Sequence, residues 1–168
     1  MIGVDSKIKT KLNELEVQLS ALEERFVTKQ RCFGAGAVEA SLTPYQFTSA
    51  AADFGTEVQI LQTADTPFET GKNFFDLRGA LITNVSLFEL IIFRLIWGTG
   101  TVAAAEAAGN YSDHELIRLS TLTIAGGLPA ELTMPKLPTG TMNVWGKIKA
   151  TTNLLTMSCV FGLHEYDN

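Results

Sequence analysis

The sequence predicts a mainly β protein: an antiparallel β-sandwich or jelly roll preceded by an N-terminal α-helical coiled coil. Three observations carry this. The first thirty residues hold an apolar seam that returns every seven residues. The chain after them breaks into about eight short β-type runs bounded by Gly, Pro, Asn and Asp. Between the two textures stands Gly34-Ala35-Gly36-Ala37, a stretch too small-residued to continue a helix. The organisation expected is a coiled-coil stalk over residues 1–31, a joint over 32–37 and a β head over 38–168.

In the stalk, Leu12, Leu19 and Phe26 take heptad position a, and Ile8, Leu15 and Leu22 take position d. The stripe is two positions wide per heptad, too narrow for a globular core and suited to copies of itself. Lys11 at g and Glu16 at e stand at the offset that pairs opposite charges between parallel neighbours. Asp5 or Ser6 can cap the helix.

In the head, strands are expected near Val38–Leu42, Glu57–Thr63, Asn73–Ser86 (two strands, or one bent at Gly79), Phe88–Trp97, Glu115–Ile124, Glu131–Met134, Thr141–Thr151 and Leu154–His164. Phe88–Trp97 is apolar on both faces, where a sandwich strand normally shows one face to water. Either a neighbouring subunit or a cover from the same chain must bury the second face. The first option makes Phe93, Leu95, Trp97 and Phe161 candidate oligomer-interface residues together with the six heptad positions. Thr101–Ala108 reads as a short alanine-rich helix, capped by Thr99 or Thr101 and stopped by Gly109.

The head carries seven Lys/Arg against thirteen Asp/Glu, once the six and five of the stalk are taken from the totals of 13 and 18. Such a surface repels phosphates, so nucleic acid is not an expected partner. The N-terminus lacks a basic-then-apolar leader and no run is long enough to span a bilayer, so no membrane partner is expected either. Cys32 and Cys159 make no disulfide framework and suit a reducing cytoplasm.

Catalytic chemistry is not legible. Gly98-Thr99-Gly100-Thr101-Val102-Ala103 follows a strand and opens a helix, as in a dinucleotide-binding turn, but no second βα unit follows. Gly71-Lys72 lacks the earlier glycine of a phosphate-binding loop. His114 and His164 each sit among carboxylates and could ligate a metal on an oligomer axis; the simpler expectation is a solvated turn and a solvated tail. Cys159 reads as a core thiol. No enzyme, metal or cofactor is expected. Among the aromatics that could stack on a sugar (Tyr45, Phe47, Tyr111, Trp145 and Tyr166), Tyr111 in Gly-Asn-Tyr-Ser-Asp is the best loop candidate.

The Ile8–Phe26 heptads, RLIWGTGTVAAAEAAGNYSD at Arg94–Asp113 and VWGKIKATTNLLTMSCVFGLHEYD at Val144–Asp167 together resemble trimeric virion proteins of tailed bacteriophages: head fibres, capsid decoration proteins and tail-appendage tips. The last stretch also resembles the end of tumour necrosis factor-like and complement-type trimeric heads. The resemblance implies a jelly-roll homotrimer with Phe88–Trp97 and Leu154–His164 as axis strands. It further implies assembly in the host bacterial cytoplasm, a place in the virion, and other capsid or tail proteins as partners. Two functions follow as expectations: a capsid fibre or decoration protein anchored through the coiled coil, or a receptor-binding tip that recognises a host surface glycan.

Overall fold

The computed structural model describes residues 11, 31–36, 43–62, 68, 71–87, 89–116 and 128–167. The heptad positions Ile8, Leu12, Leu15, Leu19, Leu22 and Phe26, and the strand expected at Val38–Leu42, lie outside the described residues. The described chain is mainly β, with one short helix, and its strands form two sheets.

The elements in order are β1 (Arg31–Phe33), β2 (Tyr45–Thr48), β3 (Ala50–Ala51), β4 (Val58–Leu61), β5 (Phe74–Val85), β6 (Ile91–Gly98), α1 (Val102–Ala107), β7 (Tyr111–Leu116), β8 (Leu128–Glu131), β9 (Leu137–Pro138), β10 (Asn143–Ala150) and β11 (Thr156–Tyr166). Sheet A runs β1–β11–β5–β8, with β2 also on β11 and β9 also on β5. Sheet B runs β3–β10–β6–β7, with β4 also on β10. Among these pairings only β3 on β10 is parallel.

The inward residues of the two sheets close one core. From sheet A come Phe33, Tyr45, Phe47, Phe75, Leu77, Cys159, Phe161 and Leu163; from sheet B come Ile91, Phe93, Leu95, Val144 and Ile148. Phe47 meets Phe93 edge-on at 5.3 Å between centroids, and Phe93 lies 5.9 Å from Phe161, so aromatic rings bridge the layers. Gly146 makes room for this: a Cβ there would stand 2.7–2.8 Å from the Phe47 and Phe93 rings.

β5 is a single strand. It is irregular where Gly162 pairs Gly79 and Leu163 pairs Leu77, leaving Arg78 unopposed, which answers the expected bend at Gly79.

Several expectations are corrected. β6 begins at Ile91 rather than Phe88, because the preceding turn is tied to the neighbouring loop: Ser86 N–H donates to the Thr156 carbonyl at 2.9 Å, and Glu89 takes the Thr152 N–H at 2.8 Å. β7 starts at Tyr111 rather than Glu115, since Gly109 at φ +74° turns the chain straight back onto β6. β8 ends at Glu131, near where a strand was expected to begin. Arg31–Phe33, assigned to the stalk end and the joint, pairs with Phe161–Leu163 and puts Phe33 in the core.

The interface expectation for the head changes most. Phe93, Leu95 and Phe161 are 1%, 0% and 0% exposed within one chain, and Trp97 is half-buried against the same core. The outer face of β6 is covered from within as well: Ile96 and Trp145 of sheet B pack under Ala105 and Val102 of α1. The inward face of this strand, with Phe93, Leu95 and Trp97, is thus packed within its own chain, and the Ile96 end of its outer face lies under α1.

Candidate functional site

The chemistry-bearing side chains gather on the two outer faces of the sandwich. On sheet B the focus is Arg94. It projects outward from β6, on the face where Asp113 is its cross-strand partner. Nε and one terminal nitrogen of Arg94 donate to the two oxygens of Asp113 at 2.6 and 2.7 Å, a bidentate pair. The remaining nitrogen donates to Glu106 of α1 at 2.9 Å, and Lys147 Nζ of β10 reaches the same carboxylate at 2.7 Å. The guanidinium lies between two rings, 4.2 Å from the centroid of Phe54 and 4.0 Å from that of Tyr111.

Burial opposes the charge on Glu106, but hydrogen bonds from Lys147 and Arg94 outweigh it and hold the carboxyl below its ordinary range. The Asp113 hydrogen bond leads the causes that raise Arg94 further above its ordinary value. Every nitrogen of this arginine has a carboxylate partner. The arrangement clamps α1 to the sheet and offers no open acid, base or nucleophile.

Replacing Arg94 by Gln is expected to lower stability by about 1–3 kcal/mol, since it strips Asp113 of its bidentate partner and Glu106 of one of its two cations. Chemical denaturation checks this; a change under about 0.5 kcal/mol would mean the cluster is only surface decoration.

The α1 signals were legible. Thr101 is the N-cap, with its Oγ accepting from Ala104 N–H at 3.3 Å, and the chain turns at Gly109. The dinucleotide pattern that shares these residues is not a βαβ unit, because β7 returns antiparallel to β6.

On sheet A the focus is Asp76, whose side chain is 5% exposed. Its Oδ2 accepts from the Tyr166 hydroxyl at 2.8 Å and from Arg78 Nε at 3.1 Å. Arg78 also donates to the Tyr166 oxygen at 2.9 Å, and His164 Nδ1 lies 2.9 Å from that oxygen. With the Tyr166 proton given to Asp76, Nδ1 must be the protonated nitrogen of His164. Asp76 Oδ1 has no hydrogen-bond partner; His164 Nδ1 is 3.7 Å away. Lys136 stands over the Tyr166 ring at 4.3 Å. Burial, then the hydrogen bond to Asp76, pushes the phenol up to about 12.

The histidines are neither solvated nor joined to a ligand cluster. Both lie in strands, and among the described residues no group of three His, Cys, Asp or Glu could hold a metal. His114 Nε2 is 2.9 Å from Ser112 Oγ, and that hydroxyl donates to the Thr133 carbonyl at 2.6 Å. The imidazole is therefore the donor to serine, the reverse of what an activated nucleophile needs. Cys159 is buried, and burial alone raises its thiol far above the ordinary range.

Burial is also the leading cause that holds both imidazoles below their ordinary value; Asp113 opposes it at His114, and Asp76 opposes while Arg78 assists at His164. The unfolded chain then binds more protons than the folded one as pH falls below about 6.5. Stability is full above that value and declines toward the depressed folded values. The thermal midpoint is expected to drop between pH 7 and pH 5, and a chain with both histidines replaced by Gln should show a flatter profile there. A midpoint that rises on acidification would contradict this.

Of the sugar-stacking candidates, Tyr45 and Phe47 are core residues, Trp145 lies under α1, and Tyr166 belongs to the Asp76 network. Tyr111 is 37% exposed but stands in a strand, with Arg94 over its ring. Sequence reading missed Arg94, Glu106, Lys147, Asp76 and Arg78. The signal was present for two of them: a charge inside an apolar run, Phe93-Arg94-Leu95 and Phe75-Asp76-Leu77, needs a partner.

Comparison with protein-family models, curated proteins and solved structures finds no match to this chain.

Proposed function

We propose that this chain is a structural virion protein of a tailed bacteriophage: a homotrimeric capsid fibre or decoration protein anchored through its N-terminal coiled coil. The observation that carries the reading is the strand order. Taken with its doubled edges, β2–β11–β5–β8 lies against β4–β10–β6–β7, two interlocked four-stranded sets in the manner of a jelly roll, a fold that recurs in viral capsid domains. Support also comes from the direction of β1. Arg31 pairs with Leu163, toward the end at which β11 finishes, so the N-terminal segment joins the head at that end.

The side-chain chemistry agrees. Both polar networks hold the fold together, and Ser112, His114 and Cys159 are set in ways that oppose catalysis. The working principle is avidity: three chains held in register make three weak virion contacts act as one.

Particles assembled with a chain lacking residues 1–30 test it. They are expected to carry none of the protein, although the shortened chain keeps the near-ultraviolet circular dichroism of the intact head. Decoration by the shortened chain would overturn the anchor.

A further inference from the structure

The outer face of sheet B carries two rows of unlike character. In the first, Lys147, Arg94 and Asp113 stand side by side on β10, β6 and β7, and Glu106 joins them from α1. These two cations and two carboxylates are paired within the chain. Two residues along each strand, on the same face, comes the row Lys149, Ile92, Glu115. Here a cation and an anion flank a partly exposed isoleucine and are not paired. Among the described residues the Lys149 ammonium has only the Phe54 ring, 5.9 Å away, and the exposed Glu115 carboxylate has no partner. Leu90, 40% exposed, stands two positions before Ile92 and lengthens the apolar strip.

From this row we propose that the Ile92 end of the face is where the heads of the homotrimer meet, each Lys149 paired with Glu115 of the next copy. This contact rests on the homotrimer proposed above and gives the head a share in holding it. About an axis along the strands, three copies set Ile92 innermost, with Lys149 on one flank and Glu115 on the other. Rotation then carries every Lys149 flank onto a Glu115 flank, so like charges do not meet. An unrelated partner would have to supply an acid and a base on either side of an apolar group; a copy of this chain carries all three. At the other end of the face stands α1, with Ala103, Ala104 and Ala107 exposed, side chains small enough to let the copies close. The patch is modest, and chains already tethered by the stalk need only a weak contact. The residues that meet are outward ones, not Phe93, Leu95 and Phe161 of the core.

Disulfide trapping in the full chain tests the contact. In a Cys32→Ser background, Ile92→Cys is expected to give a two-chain band after diamide treatment, on a gel run without reductant. Asn84→Cys, exposed on sheet A, should stay single-chain. Adding Glu115→Lys to Ile92→Cys faces lysine with lysine and should cut the linked fraction several-fold. Adding Lys149→Glu as well should restore it, which separates pairing between copies from loss of fold. Absence of the two-chain band, a band no stronger than that of Asn84→Cys, or one indifferent to Glu115→Lys overturns the contact. The sedimentation mass of the unsubstituted chain tells this failure from failure of the homotrimer. A three-chain mass without the link removes the head contact alone; a single-chain mass removes both.

Discussion

Gly55→Ala is expected to destabilise the chain by about 3 kcal/mol, at the upper end of what overpacking costs. A Cβ at Gly55 would overlap the Thr48 carbonyl oxygen, and backbone cannot rotate away as a side chain can. Neither side of the clash is free to move. Gly55 N–H is bonded to the Ile148 carbonyl at 2.9 Å, and Thr48 is held in β2 opposite Thr156. In a domain of this size that loss lowers the thermal midpoint by roughly 6–12 °C. Gly100→Ala is the matched control: a Cβ there meets open space, and its effect should stay within about 0.5 kcal/mol. Similar midpoints for the two variants would show that the β2–β3–β4 corner is looser than described.

Phe161→Ala should cost about 3–5 kcal/mol. The ring sits among those of Phe33, Tyr45, Phe47 and Phe93, with centroids 6.2, 5.6, 6.2 and 5.9 Å away, and is fully buried. Removing it opens a void between the sheets that these rings cannot fill without leaving their rotamers. The variant also separates two roles for this residue. A core role lowers the denaturation midpoint of the head. A role at a subunit contact would instead lower the sedimentation mass of a chain that stays folded.

What could be read in the sequence was what is local. Leu155, Met157, Cys159 and Phe161 alternate with more polar or smaller residues, and all four lie in the core. Thr101 and Gly109 bracket α1 because capping and left-handed turns depend on residues a few positions apart. Phe88–Trp97 shows the limit: its double-sided apolarity was plain, but its cover was not. A six-residue helix nearby in sequence lies over Ile96 and its cross-strand neighbour Trp145 of β10, and periodicity within one strand names neither.

The polar networks were hidden for the same reason. Arg94 finds Asp113 nineteen positions on, Lys147 finds Glu106 across 41, and Tyr166 finds Asp76 across 90. Only the fold brings such pairs together. β1 and β2 were missed because three or four residues are too few to show a period of two. Tyr111 was misplaced by a glycine: Gly-Asn-Tyr-Ser-Asp has loop composition, yet Gly109 completes the turn before Tyr111 is reached.

Sedimentation equilibrium of the purified full-length chain tests the homotrimer most directly. The mass expected is three times that of the chain, unchanged across the micromolar range, with charge reversal at both Lys11 and Glu16 leaving it intact and reversal at either one alone lowering it. A single-chain or two-chain mass at the same concentrations would contradict it.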